Sequence, residues 1–204
     1  MNVTYHSHHG AITESKHVFI DAGLIPVLER LQKIRVHVFE VGFGTGLNAL
    51  LTLAEADGRR QPVSYEAIEL FPLQQQQADQ LNYCGRIDRE DLQPAFEALH
   101  CANWEQEAII SPWFTLRKHL ADLQGFKPVH PIDLIYFDAF APVAQPELWT
   151  AEIFSVLFEH LTIGGLLVTY CSKSDVRRAM KSVGFRVEKI QGPHGKREMV
   201  RAYK

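Results

Sequence analysis

The stretch VFEVGFGTGLNALLTLAE, residues 38–55, decides the fold. Val36 to Gly42 is a nearly continuous apolar run of strand length, interrupted by His37 and Glu40. It reads as a strand buried on both faces. Gly42, Gly44 and Gly46 follow at alternate positions. Residues without Cβ permit a sharp turn, and they let backbone N–H groups and a helix N-terminus come close to a ligand. From Gly46 to Ala56, the residues Leu47, Leu50, Leu51 and Ala54 recur on one helical face. A strand, a glycine turn and a helix in this order form the opening unit of a parallel sheet. The turn lies at the carboxyl end of its strand, where such sheets bind ligands.

Further units follow the same rhythm. Val63–Leu70, Phe114–Leu120, Ile132–Asp138 and Gly165–Tyr170 read as strands. Helices are expected from Pro72 to about Leu81 and from Thr150 to Leu161, and from a cap at Ser172 or Ser174 to Val183, with Gly184 as the stop. Phe185–Ile190 and Glu198–Tyr203 have no helix between them and predict an antiparallel edge hairpin. The expectation is an α/β, Rossmann-like, mostly parallel sheet of seven strands covered on both faces. A single domain over residues 1–204 is expected, with an N-terminal appendage at 1–35 and a polar helical insertion at 86–112.

The chain has 204 residues, of which 46% are apolar and 22% charged, as in an ordinary soluble globular protein. Cys84, Cys101 and Cys171 are scattered and odd in number, which argues against a disulfide framework or zinc ribbon. The histidines show no metal-ligand spacing, so no metal is expected. No secretory signal and no membrane-length apolar run is read, and a cytoplasmic location is expected. The net charge is −3, but it is unevenly placed. Lys173–Lys204 holds ten basic and three acidic residues, net +7, while residues 1–172 are net −10. A basic tail on an acidic body suits a chain that meets a polyanion with one face, or is simply a solvated surface.

The glycine pattern separates two ligand classes. A dinucleotide fingerprint needs its third glycine at position 47, which is Leu47. The spacing here is Glu-x-Gly-x-Gly-x-Gly from Glu40, and it resembles the S-adenosylmethionine loop of class I methyltransferases. That ligand carries a sulfonium and an ammonium, so an acid near the turn is useful. Glu69 ends the second strand, where a carboxylate can accept both ribose hydroxyls. Asp122 follows the third strand, where it can meet an adenine amino group or remain a surface acid.

Asp138 ends the fourth strand and is followed by Ala139, Phe140, Ala141 and Pro142. An acid, an aromatic and a proline in this place resemble the loop of amino methyltransferases. A carboxylate there can orient an amine, and aromatic faces favour a nearby cation. GFGTGLN, FDAFAP with the following P-x-x-W-T, SKSDVRRAMKSVGF and GKREM together resemble the methyltransferase domain of the MnmC family of tRNA wobble-uridine modifying enzymes. The N-terminal YHS and GAITESKHVFI are similar to the same family, so the resemblance covers nearly the whole chain.

The resemblance implies a class I S-adenosylmethionine-dependent fold. It also implies methyl transfer from S-adenosylmethionine to the amine of 5-aminomethyl-(2-thio)uridine in tRNA. Glu40, Gly42, Phe43, Gly44, Thr45, Gly46, Asn48, Glu69 and Asp122 would then hold the cofactor, although Ala121 replaces the glycine usual before the last of these. Asp138 would be catalytic. Glu14, Phe140, Pro142 and Trp149 would line the amine pocket, with Lys173, Arg177, Arg178, Lys196 and Arg197 contacting RNA phosphates. No flavin oxidase domain is expected, so the primary amine would come from separate enzymes. Two rivals remain open: a small-molecule amine methyl- or aminopropyltransferase, and a non-catalytic RNA-binding module of the same fold.

Overall fold

A computed structural model describes residues 8–193, 195 and 197–204. Eight strands form one sheet: β1 Val36–Val41, β2 Val63–Glu69, β3 Glu107–Ser111, β4 Phe114–Leu120, β5 Ile132–Phe137, β6 Leu161–Thr169, β7 Arg186–Gln191 and β8 Glu198–Tyr203. Their spatial order is β3-β4-β2-β1-β5-β6-β8-β7. The five central strands, from β4 to β6, run parallel. From β1 the chain pairs with β2 on one side and β5 on the other, so the strand order reverses above β1. That reversal opens a crevice at the carboxyl ends.

The period of two in each strand sorts side chains between two cores. Val36, Val38, Tyr65, Leu134, Tyr136 and Val168 face one side. There they meet α3 (Leu47–Arg59), α6 (Gln93–Cys101) and a buried π-helical segment, Lys16–Leu24, that joins α1 (His8–Ser15) to α2 (Ile25–Leu31). Phe39, Val41, Ile135, Phe137 and Leu167 face the other side, against α7 (Ala151–His160) and α8 (Ser174–Ser182). Phe154 of α7 is fully buried there against Phe137. Truncating such a side chain to Ala costs about 3–5 kcal/mol.

The mostly parallel α/β sheet agrees with the expectation, and several details differ. Among the described residues there are eight strands, not seven, and both edges are antiparallel. The additional strand, β3, lies within the segment expected to be a helical insertion. It is a short edge strand with Ile109 largely exposed, so it lacks the apolar continuity of the central strands. The helix expected from Pro72 to Leu81 shrinks to α4, Gln75–Ala78, because the Gln77 side chain accepts from the Gln74 N–H and starts the turn there. α5 (Tyr83–Arg86) follows it. No helix among the described residues is long and apolar enough to cross a membrane.

Candidate active site

The three glycines that end β1 have positive φ, of +92° at Gly42, +49° at Gly44 and +71° at Gly46. The reasons differ. A Cβ at Gly42 would stand 3.2 Å from the Asp138 carbonyl, so Gly42 lets β1 and β5 close on each other. A Cβ at Gly44 would meet nothing within 4 Å and would project into open space. That space is the cradle a ligand would fill. Glu69 fixes the loop's position: its Oε2 accepts from the Gly44 N–H at 3.0 Å and its Oε1 from the Phe71 N–H at 2.8 Å.

The loop is also held from behind. Tyr83 donates its hydroxyl to Thr45 Oγ1 at 3.0 Å. His100, in the last turn of α6, lies 3.2 Å from the Thr45 carbonyl and edge-on to the Phe43 ring. Burial, with the nearby Lys118 charge, lowers the His100 pKa, so the neutral ring donates its Nε2–H. Lys118 is only 1% exposed and donates to the Leu99 and His100 carbonyls that end α6. Its ammonium lies 5.3 Å from the Phe43 ring centre. Burial brings the Lys118 pKa down to about 8.

Strand alternation places Glu40, Tyr136 and Asp138 on the α3 side of the sheet. Glu40 and Tyr136 are register partners on adjacent strands, and Asp138 comes one pleat later. Asn48, in the first turn of α3, reaches both carboxyl groups. Its Nδ2 donates to Glu40 Oε1 at 2.8 Å and to Asp138 Oδ2 at 2.9 Å. Burial pushes the Glu40 carboxyl well above its ordinary pKa, and the Asp138 and Glu69 charges add to the rise against the Asn48 hydrogen bond.

A cavity of about 300 Å³ opens above this platform. Of the expected cofactor residues, Gly42, Phe43, Gly44, Thr45, Asn48, Glu69 and Asp122 line it, as does the expected catalytic Asp138. Gly46 and Glu40 stand behind the wall instead. Phe140 is at the mouth and 58% exposed. Trp149 and Pro142 do not line the cavity. Trp149 is buried, and its indole N–H donates to the Phe140 carbonyl, which braces the loop after Asp138. Tyr170 braces the same loop by donating to the Ala139 carbonyl. Glu14 lies on α1 close enough for its charge to bear on Tyr170, while its helix neighbours Ala11 and Ser15 reach the wall.

Lining residues that the sequence reading did not name include Ala11, Ser15, Phe71, Tyr83, Gln145 and Glu147. Phe71 had a signal, since it follows the acid that ends β2. The others come from loops and helices outside any strand-end pattern. Lys173 stands at the N-cap of α8 and Arg178 within it, both exposed. Arg177 is half-buried and donates to the Ser172 carbonyl. Arg197 is exposed beside β8, and Lys196 lies outside the described residues. Because α8 begins just after β6, its first turn is on the same carboxyl-end edge as the cavity.

The architecture is that of the class I S-adenosylmethionine-dependent methyltransferases. Residues 112–204 match a family described as S-adenosyl-L-methionine-dependent methyltransferase. Over 96% of its length, the chain is 32% identical to the tRNA 5-methylaminomethyl-2-thiouridine biosynthesis bifunctional protein MnmC of Paraburkholderia xenovorans strain LB400. It is 31% identical, again over 96%, to the protein of that name from Ectopseudomonas mendocina strain ymp. The chain spans about a third of the length of these curated relatives, 31% in each case. Among solved structures it is similar to MNMC2 from Aquifex aeolicus, with a TM-score of 0.75 and 24% identity over 98% of this chain and 62% of that one. Spermidine synthase from Thermotoga maritima shares the fold more loosely, with a TM-score of 0.58 and 15% identity over 98% of this chain and 62% of that one.

The site suits the cofactor of that family. The open space at Gly44, the acid at the end of β2 and the cavity at the strand reversal lie together at the carboxyl ends of the strands. Asn48 Oδ1, on a residue of the cavity wall, is a buried acceptor without a partner.

Proposed function

We propose that the chain transfers a methyl group from S-adenosylmethionine to the primary amine of 5-aminomethyl-(2-thio)uridine at the wobble position of tRNA. The observation that carries this reading is the placement of Asp138 on the wall of the glycine-loop cavity, with Phe140 exposed at its mouth. The MnmC relatives' name, which places them in tRNA 5-methylaminomethyl-2-thiouridine biosynthesis, supports the choice of tRNA and of the uridine amine.

S-Adenosylmethionine supplies an electrophilic methyl group on a cationic sulfur. The amine nitrogen forms the new N–C bond with its lone pair, and the S–CH3 electron pair stays on sulfur. Such an in-line displacement depends mainly on positioning. Gly42, Gly44 and Glu69 shape the cofactor side of the cavity. Asp138 accepts a hydrogen bond from the amine, aims its lone pair and offsets the positive charge on the product nitrogen. The Phe140 ring stacks on a base drawn out of the anticodon. Exposed Lys173, Arg178 and Arg197, with half-buried Arg177, contact phosphates.

The test is mass spectrometry of tRNA nucleosides after incubation with the protein and isotopically labelled cofactor. The substrate is tRNA bearing the primary amine. The expected product is labelled 5-methylaminomethyl-(2-thio)uridine. Labelling of a free small amine with none in tRNA would overturn the reading in favour of a small-molecule transferase.

A further inference from the structure

The sequence pattern places Glu40 among the groups that hold the cofactor; the geometry points to another use. We propose that Glu40 is a positioning residue that acts through Asn48 to hold Asp138, and that it makes no direct contact with the cofactor. The inference rests on the functional reading above and adds a residue to its machinery.

Three observations carry it. Glu40 is 1% exposed and does not line the cavity, whereas Asn48 does, so the amide lies between the carboxyl group and the ligand space. The two hydrogens of the Asn48 amide are both used, one on Glu40 Oε1 and one on Asp138 Oδ2. Glu40 Oε2 and the Tyr65 hydroxyl are buried polar atoms without a good partner, although the Tyr65 hydroxyl faces this carboxyl group. The two atoms can satisfy each other, with Tyr65 donating to a carboxylate or a neutral carboxyl donating to the Tyr65 oxygen, and in either state Oε1 accepts from Asn48.

The surroundings favour the neutral form. Burial disfavours a charge on Glu40, and Asp138 and Glu69 add negative potential. Hydrogen bonds from Asn48 and Tyr65 oppose this but do not outweigh burial, and Tyr136, whose hydroxyl is shared with Thr52 at 3.2 Å, carries no charge. An uncharged acid is a poor ligand for a cationic cofactor but a good anchor for an amide. Without it, the Asn48 amide loses its second anchor and is free to rotate about its terminal torsion while still bonded to Asp138. The donor on Asp138 Oδ2 is then no longer held in one direction.

Two variants test this. Glu40→Gln keeps the acceptor and a donor without an ionisable group. Glu40→Leu removes both. Cofactor affinity is measured by calorimetry, and single-turnover methyl transfer to amine-bearing tRNA is followed at saturating cofactor and tRNA. For Glu40→Gln, cofactor affinity and rate should stay within about threefold of the parent. The buried carboxylic-acid carbonyl band, seen by infrared spectroscopy in the parent at neutral pH, should disappear. Glu40→Leu should keep cofactor affinity but slow transfer by about tenfold or more, the scale of a misplaced reacting group. A loss of cofactor affinity of about tenfold or more in Glu40→Gln would overturn the proposal and make Glu40 an anionic ligand. A parent without the carbonyl band would overturn it too. If the parent methylates no tRNA, the functional reading fails, and calorimetry with the infrared band still decides the state and contacts of Glu40.

Discussion

Asp138 directly follows β5 on the side of the sheet that faces the glycine loop, and one of its oxygens is tied by Asn48. Its work in the proposed reaction is orientation and charge compensation at the amine. Asp138→Ala should therefore leave cofactor and tRNA affinities nearly unchanged and slow single-turnover transfer by roughly 10²–10⁴-fold, as for other positioned acid–base groups. A rate within a few-fold of the parent would make Asp138 structural. Gly44 bears on the other half of the site. Gly44→Val places a β-branched side chain at φ +49° and directs it into the ligand space. The backbone strain should lower stability by about 1–3 kcal/mol, with the sheet still folded by circular dichroism. Calorimetry should detect no cofactor binding, and retained affinity would show that the ligand does not approach this glycine. Both residues were legible in the sequence because each is fixed by a strand end. Glu40 shows the limit of that reading. The spacing of an acid and glycines is visible in one dimension, but the face of the sheet on which the acid lies depends on register with β5 and on Asn48.

At the scale of elements, α6 buttresses the glycine loop through His100 and Phe96, and Lys118 of β4 ties down its last carbonyls. This support was not legible in the sequence. Its residues come from a segment that reads as a polar insertion, and Lys118 is a charged residue in a strand whose burial depends on long-range packing. The central strands and the helices α3, α7 and α8 were legible because their apolar periodicity is local. The β3 edge strand was not, since it is half-exposed on an outer edge. The buried lysine gives this region a definite pH response. In the folded protein, burial brings Lys118 down to about 8, whereas an unfolded lysine titrates near about 10.4. Between those values the unfolded chain binds more protons, so stability rises with pH across that window. A neutral amine keeps two N–H donors, enough for the Leu99 and His100 carbonyls. Lys118→Met removes both donors and should cost about 1–3 kcal/mol at neutral pH. Chemical denaturation of parent and variant at pH values from about 7 to about 10 should show the stability gap widening as pH rises. A constant gap would mean that Lys118 titrates at its ordinary value in the folded state.

At the scale of the molecule, charge is divided along the chain between an acidic body and a basic C-terminal stretch. Residues 173–204 carry net +7 against −10 for the rest. The first turn of α8 brings part of that charge to the edge of the sheet where the cavity opens. In the proposed reaction, an RNA whose base enters the cavity would have its backbone outside it, where these cations would meet it. The proposal and a solvated basic surface differ in what salt does. Each phosphate contact releases condensed counterions, and binding then weakens steeply with salt, by a slope of about 0.7 to 0.9 per contact. Reversing charge at Lys173, Arg178 and Arg197 together should weaken tRNA binding by more than about tenfold at low salt. The slope of log affinity against log salt should fall by about two to three units. Cofactor affinity should be unchanged, because none of the three lines the cavity. Thermal stability should shift little, because all three are exposed. Filter binding across a salt series is the measurement. If the variant keeps the parent's slope, these cations do not touch phosphate. The RNA would then have to be held by another face, with the tail's charge serving only solvation.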